Sequence, residues 1–157
     1  MTARRRGSGA ARYGFSLAEL IAVLAVAALL TGLAMPQALS YLRSAKLRGA
    51  AEQIATALRL ARQLAITRNQ SVCVQTTAAA LRYRIAGCAG LTWTGPGTDA
   101  SGNIPAPAGV SLSATASPVF SHLGSASPAA TYTVADPQSA RQLHVTVAAS
   151  GRVSVGP

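Results

Sequence analysis

The hydrophobic pattern changes period twice along the chain. Residues 15–35, FSLAELIAVLAVAALLTGLAM, form an unbroken apolar run of 21 residues with one charge, Glu19. As a helix this run spans about 31 Å, close to the thickness of a bilayer's hydrocarbon layer. From Leu39 to Thr67 the apolar residues recur at helical spacing. Leu47, Ala51, Ile54, Leu58, Ala61 and Ala65 make one stripe, and Arg48, Glu52, Arg59 and Arg62 are expected to face away from it. Pro36 lies between the two stretches and is expected to kink or interrupt the helix, or to end its membrane part.

After Asn69 the period becomes two. Ser71–Gln75 and Leu81–Ile85 read as paired strands joined through Thr76–Ala80. Gly87–Gly109 is rich in Gly, Pro, Ala and Ser and reads as a long irregular loop, packed down by Trp93. Further strands are expected at Val110–Thr115, Thr131–Ala135, Gln142–Val147 and Arg152–Val155. Ala148–Gly151 is the hairpin turn between the last two. The expected fold class is α+β, one long helix followed by an antiparallel β domain. Its parts are a basic leader (1–14), a membrane half-helix (15–36), an amphipathic half-helix (37–68) and a β domain (69–157).

Composition adds two constraints. With 157 residues the chain has room for one modest domain plus an anchor, and aromatic residues are only 4% of it. Its core is therefore built from small side chains, which stabilise weakly and gain from a staple. The formal net charge is +10, from 14 basic and 4 acidic residues. Arg4, Arg5, Arg6 and Arg12 precede the apolar run. Six of the remaining cations (Arg43, Lys46, Arg48, Arg59, Arg62, Arg68) fall in the second helical stretch. A solvated basic face explains them; an anionic partner such as lipid headgroups, an acidic neighbour or nucleic acid is the alternative.

Candidate chemistry is sparse. The acids are Glu19, Glu52, Asp99 and Asp136, and the histidines are His122 and His144. They offer no carboxylate pair, triad or zinc spacing, and there is no phosphate-binding loop. No enzyme activity, cofactor or metal is expected. Cys73 and Cys88 lie outside any CxxC motif. In an extracytoplasmic domain they would form a disulfide; two buried free thiols are the alternative.

The charge inside the apolar run decides between readings of the N-terminus. A secretory signal peptide is normally shorter, and neither it nor a plain anchor accounts for Glu19. The stretch Gly14-Phe15-Ser16-Leu17-Ala18-Glu19-Leu20, with arginines before it and the apolar run after it, closely resembles the leader of type IV pilins and type II secretion pseudopilins. The resemblance implies cleavage between Gly14 and Phe15 by a prepilin peptidase on the cytoplasmic side, with N-methylation of Phe15. It also implies that Glu19 pairs with the free ammonium of a neighbouring subunit, which sets axial register in a filament. Upstream arginines put the N-terminus in the cytoplasm and the β domain in the periplasm. That compartment favours a Cys73–Cys88 disulfide.

The second half narrows the resemblance. A basic Ala-rich helix, Val72-Cys73-Val74, a second cysteine, Trp93 soon after, and an ending with Ala140-Arg141-Gln142-Leu143-His144-Val145 before Ser150-Gly151-Arg152-Val153 resemble the GspH/FimT family of minor pseudopilins and minor pilins. The implied function is that of a GspH-like minor pseudopilin in the bacterial inner membrane, building a periplasmic pseudopilus for protein export with other subunits. A FimT-like minor pilin that primes a pilus or takes up DNA is the close alternative. A monomeric tethered binding module is the reading from another class. In some minor pilins of the family a Gly-Arg-x-Arg ending is linked to DNA. Here Ser154 replaces the second arginine, which leaves Arg152 as a weak nucleic-acid candidate. Exported proteins are further candidate partners.

Overall fold

A computed structural model describes residues 16–77 and 79–157. The leader, including Gly14, and Phe15 of the expected cleavage site lie outside the described residues. Two compact units divide between Ser40 and Tyr41.

A single helix, α1, is assigned from Leu17 to Arg68. The helical assignment is continuous through position 36, so the expected interruption there does not occur. In the first unit the large apolar side chains point to solvent: Leu20, Ile21, Val23, Leu24, Val26, Leu29 and Leu30 are all more than half exposed. Nothing among the described residues of this unit covers them, and a membrane or a neighbouring helix is the kind of surface that would.

The helix ends by a defined capping geometry. Asn69 takes a positive φ of 52°. Its N–H donates to the Ile66 carbonyl at 3.3 Å, and the Gln70 N–H donates to the Ala65 carbonyl at 3.1 Å. This pair of bonds satisfies carbonyls that the last helical turn would leave open, and Asn tolerates the left-handed position better than most residues.

The second unit pairs its part of α1 with two antiparallel sheets. Strands β1 (Val72–Thr76), β2 (Ala80–Ile85), β3 (Leu91–Thr92), β4 (Asn103–Pro105), β6 (Val119–Phe120) and β7 (Ala126–Ser127) form one sheet in the order β3-β2-β1-β6-β7. β4 also pairs with β2, beside its beginning, while β3 pairs with its end. Strands β5 (Ser111–Ala114), β8 (Ala130–Ala135), β9 (Gln142–Val147) and β10 (Val153–Gly156) form the other, ordered β10-β9-β8-β5. The expected loop over Gly87–Gly109 therefore carries two short strands, and β6 and β7 were not foreseen. A strand of two or three residues is too short to display an alternating pattern.

The core follows from the stripe. Leu47, Ala51, Ile54, Leu58, Ala61 and Ala65 are all buried, joined by Ala50, Ala55 and Ala57 on the same side. Alanine here lets the backbone of the helix approach the sheets closely. The sheets answer with larger groups: Val72, Val74, Leu81, Tyr83 and Phe120 from one, and Tyr132, Val134, Val145 and Val147 from the other. β8 alternates buried and half-buried residues along its whole length, as a strand with one covered face should.

Candidate functional site

Residues carrying candidate chemistry are dispersed over the two units. Glu19 sits in the first turn of α1 and is exposed, amid apolar side chains that are also exposed. A carboxylate there favours the positive end of the helix dipole. Yet in a hydrocarbon setting it needs a cation from outside the chain's described residues.

The two cysteines are joined. Cys73 in β1 and Cys88 after β2 form a disulfide across 15 residues of sequence, with Cα atoms 5.0 Å apart. The bridge ties the turn after β2 back to the buried strand β1. Gln75 strengthens the same corner: its side-chain amide donates to the Cys88 carbonyl at 3.1 Å and its oxygen accepts from Arg84 Nε at 3.1 Å. Arg84 also donates to the Gly90 carbonyl at 2.9 Å. Trp93 packs as expected. Its ring centroid lies 5.7 Å from that of Tyr83, and its backbone N–H donates to the Tyr83 carbonyl at 2.9 Å. The Tyr83 hydroxyl reaches the Ala57 carbonyl of α1 at 2.6 Å, and burial pushes its ionisation well above the usual tyrosine range. Sheet, loop and helix are thus pinned at one point.

The Gly151-Arg152 turn has a structural role that the sequence did not reveal. Gly151 (φ 75°) and Gly124 (φ 83°) face each other from two turns, and Arg62 donates its Nε hydrogen to the Gly124 carbonyl at 2.8 Å. Arg62 is therefore half-buried and committed inward, a correction to the expectation that it faces away with Arg48, Glu52 and Arg59. Arg152 itself is exposed.

Two of the acids serve loops. Asp99 accepts from the Asn103 N–H at 2.7 Å and the Ser101 N–H at 2.8 Å. These bonds, Asn103's first, hold its pKa below the usual carboxylate value. Asp136 accepts from the Gln138 N–H at 3.0 Å and the Ser139 hydroxyl at 2.9 Å, and its pKa is lowered first by Gln138, then by Ser139, with Arg43 and Lys46 adding a smaller electrostatic effect. Glu52 makes an exposed ion pair with Arg59 at 3.9 Å. His144 shares a hydrogen bond with Thr133 at 3.2 Å. Among the described residues no three His, Cys, Asp or Glu side chains converge as metal ligands would.

Comparison with known proteins supplies the identification. The family model described as type II transport protein GspH matches residues 50–151, about two thirds of the chain. The chain belongs to the GspH family. The matched stretch takes in the core stripe from Ala50, the disulfide, Trp93 and the turn ending at Gly151, and so covers most of the helix-and-sheet unit. Solved structures agree on the fold. The minor pseudopilin EpsH from the type 2 secretion system of Vibrio cholerae superposes with a TM-score of 0.56 at 13% identity, covering 70% of this chain and 95% of that one. The type IV minor pilin FimU of Pseudomonas aeruginosa gives a TM-score of 0.54 at 15% identity, covering 74% and 92%. No curated protein matches the chain in sequence. GspH-family membership makes the chain a structural pilin-like subunit, and the one long apolar helix among the described residues fits single-pass anchoring.

Proposed function

We propose that this chain is a minor pseudopilin of a type II secretion system, anchored in the bacterial inner membrane with its β unit in the periplasm. The observation that carries the reading is the exposed apolar segment of α1 with a lone carboxylate at its start, joined to a GspH-family domain. A prepilin peptidase cuts between Gly14 and Phe15 and methylates the new N-terminus. The helix then leaves the bilayer for a filament of other pseudopilins, in which Glu19 meets a neighbour's N-terminal ammonium. An unpaired carboxylate in hydrocarbon costs about 2.5–3.5 kcal/mol, so the pairing selects one axial register. Energy for assembly comes from an ATPase elsewhere, and exported proteins meet the filament through its periplasmic domains.

The test is Glu19→Leu in the native host. Processing at Gly14/Phe15, read by mass, is expected to persist while cross-linking to partner subunits is lost. Undiminished cross-linking would overturn the filament reading and favour a tethered monomeric module.

FimU's comparable likeness supports a second reading, a minor pilin of a type IV pilus. Deleting the gene separates the two: a pseudopilin loses exoprotein secretion, a minor pilin loses piliation. In the pilin reading Arg152 is the candidate DNA contact. A gel shift that is unchanged by Arg152→Ala removes it from that role.

A further inference from the structure

A recess of about 390 Å³ opens where α1 meets the turn between β8 and β9. Arg48 comes from the helix and Arg141 from the turn; Ser44 and Gln142 add polar groups, and Leu47 and Leu143 add an apolar flank. Arg141 donates to the Ser44 hydroxyl, which holds the two elements together. Arg43 and Lys46 lie on the same stretch of helix, close enough to the turn to act on Asp136. Arg48 and Arg141 thus line the recess itself, with Arg43 and Lys46 near Asp136 on the turn and Glu52 beside Arg48 in the adjoining recess.

The position of this cluster along the chain suggests what it meets. No charged residue occurs from Leu20 to Leu42. Leu39, Tyr41 and Leu42 are 51%, 73% and 61% exposed, so apolar exposure continues past the run that ends at Met35. An exposed tyrosine at the end of such a stretch is the residue type that settles at a membrane interface. Arg43 is the first charge after it. The uncharged stretch from Leu20 to Leu42, about 33 Å long as a helix, fits the hydrocarbon when tilted, and places its outer edge at Leu42 rather than Met35. Arg48 follows Leu42 by about 9 Å, and the polar layer on each side of the hydrocarbon is about 5–7 Å thick. The length of an arginine side chain covers the remainder.

We propose that this recess binds the phosphodiester headgroup of an anionic phospholipid in the outer leaflet of the anchoring membrane. This rests on the membrane-anchored reading above. Two guanidiniums from different elements suit a phosphate's several oxygens, and the leucine flank suits the glycerol and upper acyl chain. The contact would hold the β unit down on the bilayer before assembly and would be given up when the subunit is extracted.

Full-length protein in nanodiscs tests this by hydrogen exchange over residues 136–143. Discs of phosphatidylcholine alone are compared with discs that also contain phosphatidylglycerol. Anionic lipid is expected to slow exchange by about fivefold for each arginine engaged. Arg48→Gln with Arg141→Gln abolishes the slowing, and Arg59→Gln, outside the recess, preserves it. Unchanged exchange in β1 shows that the fold is intact in each variant. Equal exchange in the two discs, or slowing that survives the double substitution, overturns the proposal. So does equal protection by inorganic phosphate in phosphatidylcholine discs, which would make this a site for a soluble anion. A chain that does not insert into discs overturns the anchor reading itself, a result distinct from insertion without a lipid effect.

Discussion

Gly151→Ala is the sharpest test of what the Gly151-Arg152 turn is for. A methyl group built on Gly151 would lie 1.8 Å from the Gly124 carbonyl oxygen and 3.0 Å from Arg62 Nε. The first contact is with backbone and cannot be relieved by a rotamer change. The turns must separate by about 1.5 Å to restore an ordinary contact. Separation breaks the Arg62–Gly124 hydrogen bond, a charged donor to a carbonyl, worth about 1.5–3 kcal/mol. The left-handed φ of 75° adds about 1–2 kcal/mol for a residue with a Cβ. The expected loss is therefore about 2.5–5 kcal/mol of unfolding free energy. Trp93, the single tryptophan, is buried in the domain and reports its unfolding. Urea titration in mild detergent, followed by its fluorescence, gives the measurement. Arg152→Ala next door should change stability by less than about 0.5 kcal/mol, since its side chain is exposed. If Gly151→Ala costs less than about 1 kcal/mol, the argument that the glycine is kept by packing against Gly124 is wrong.

Four further outcomes are expected from the same titration. Gly49→Ala should stabilise by up to about 1 kcal/mol, because a methyl there meets nothing within 4 Å and alanine favours the helix. Cys73→Ser with Cys88→Ser should cost about 3 kcal/mol in the chain-entropy picture of a 15-residue loop, and strong reductant should reproduce the loss. Tyr83→Phe should cost about 1 kcal/mol through the lost bond to Ala57, whereas Tyr132→Phe should be nearly neutral, since the Tyr132 hydroxyl and Thr76 Oγ1 are buried without a well-formed hydrogen bond. Asp99 and Asp136 have pKa values lowered in the folded state. Their contribution is present above the ordinary carboxylate pKa and lost as pH falls through the depressed one. Stability should therefore drop below about pH 4, less steeply in Asp99→Asn and Asp136→Asn.

How far the fold could be read depended on the length of each element. The helical stripe from Leu47 to Ala65 repeats often enough to define a face, and every residue named in it is buried. Strands β2, β8 and β9 have six residues each, enough for alternation to register. Strands β3, β6 and β7 have two, too few for alternation to register, and β6 pairs in addition with β1, far earlier in the chain. Val119 and Phe120 become a strand because Cys73 and Val72 offer them a free edge.

The side chains that bind elements together were harder to read, for a related reason. Arg62 sits beside Ala61 at the rim of the stripe, where periodicity treats a charged residue as solvent-facing. Its partner is a carbonyl 62 residues later, presented by a glycine turn, and backbone carbonyls leave no signature in a sequence. The same holds for Arg48 and Arg141, which are 93 positions apart (141 − 48) yet line one recess. Glu19 is the opposite case. Its meaning comes from where a charge is not expected, inside an apolar run, and the exposed surroundings of that carboxylate reinforce the point. The domain buries its own stripe and pairs most of its buried polar side chains, Thr76 Oγ1 and the Tyr132 hydroxyl excepted. The apolar part of α1 leaves its large side chains exposed among the described residues, so the features legible there are those that another molecule would cover, and under the filament reading proposed above Glu19 would meet a neighbour's ammonium.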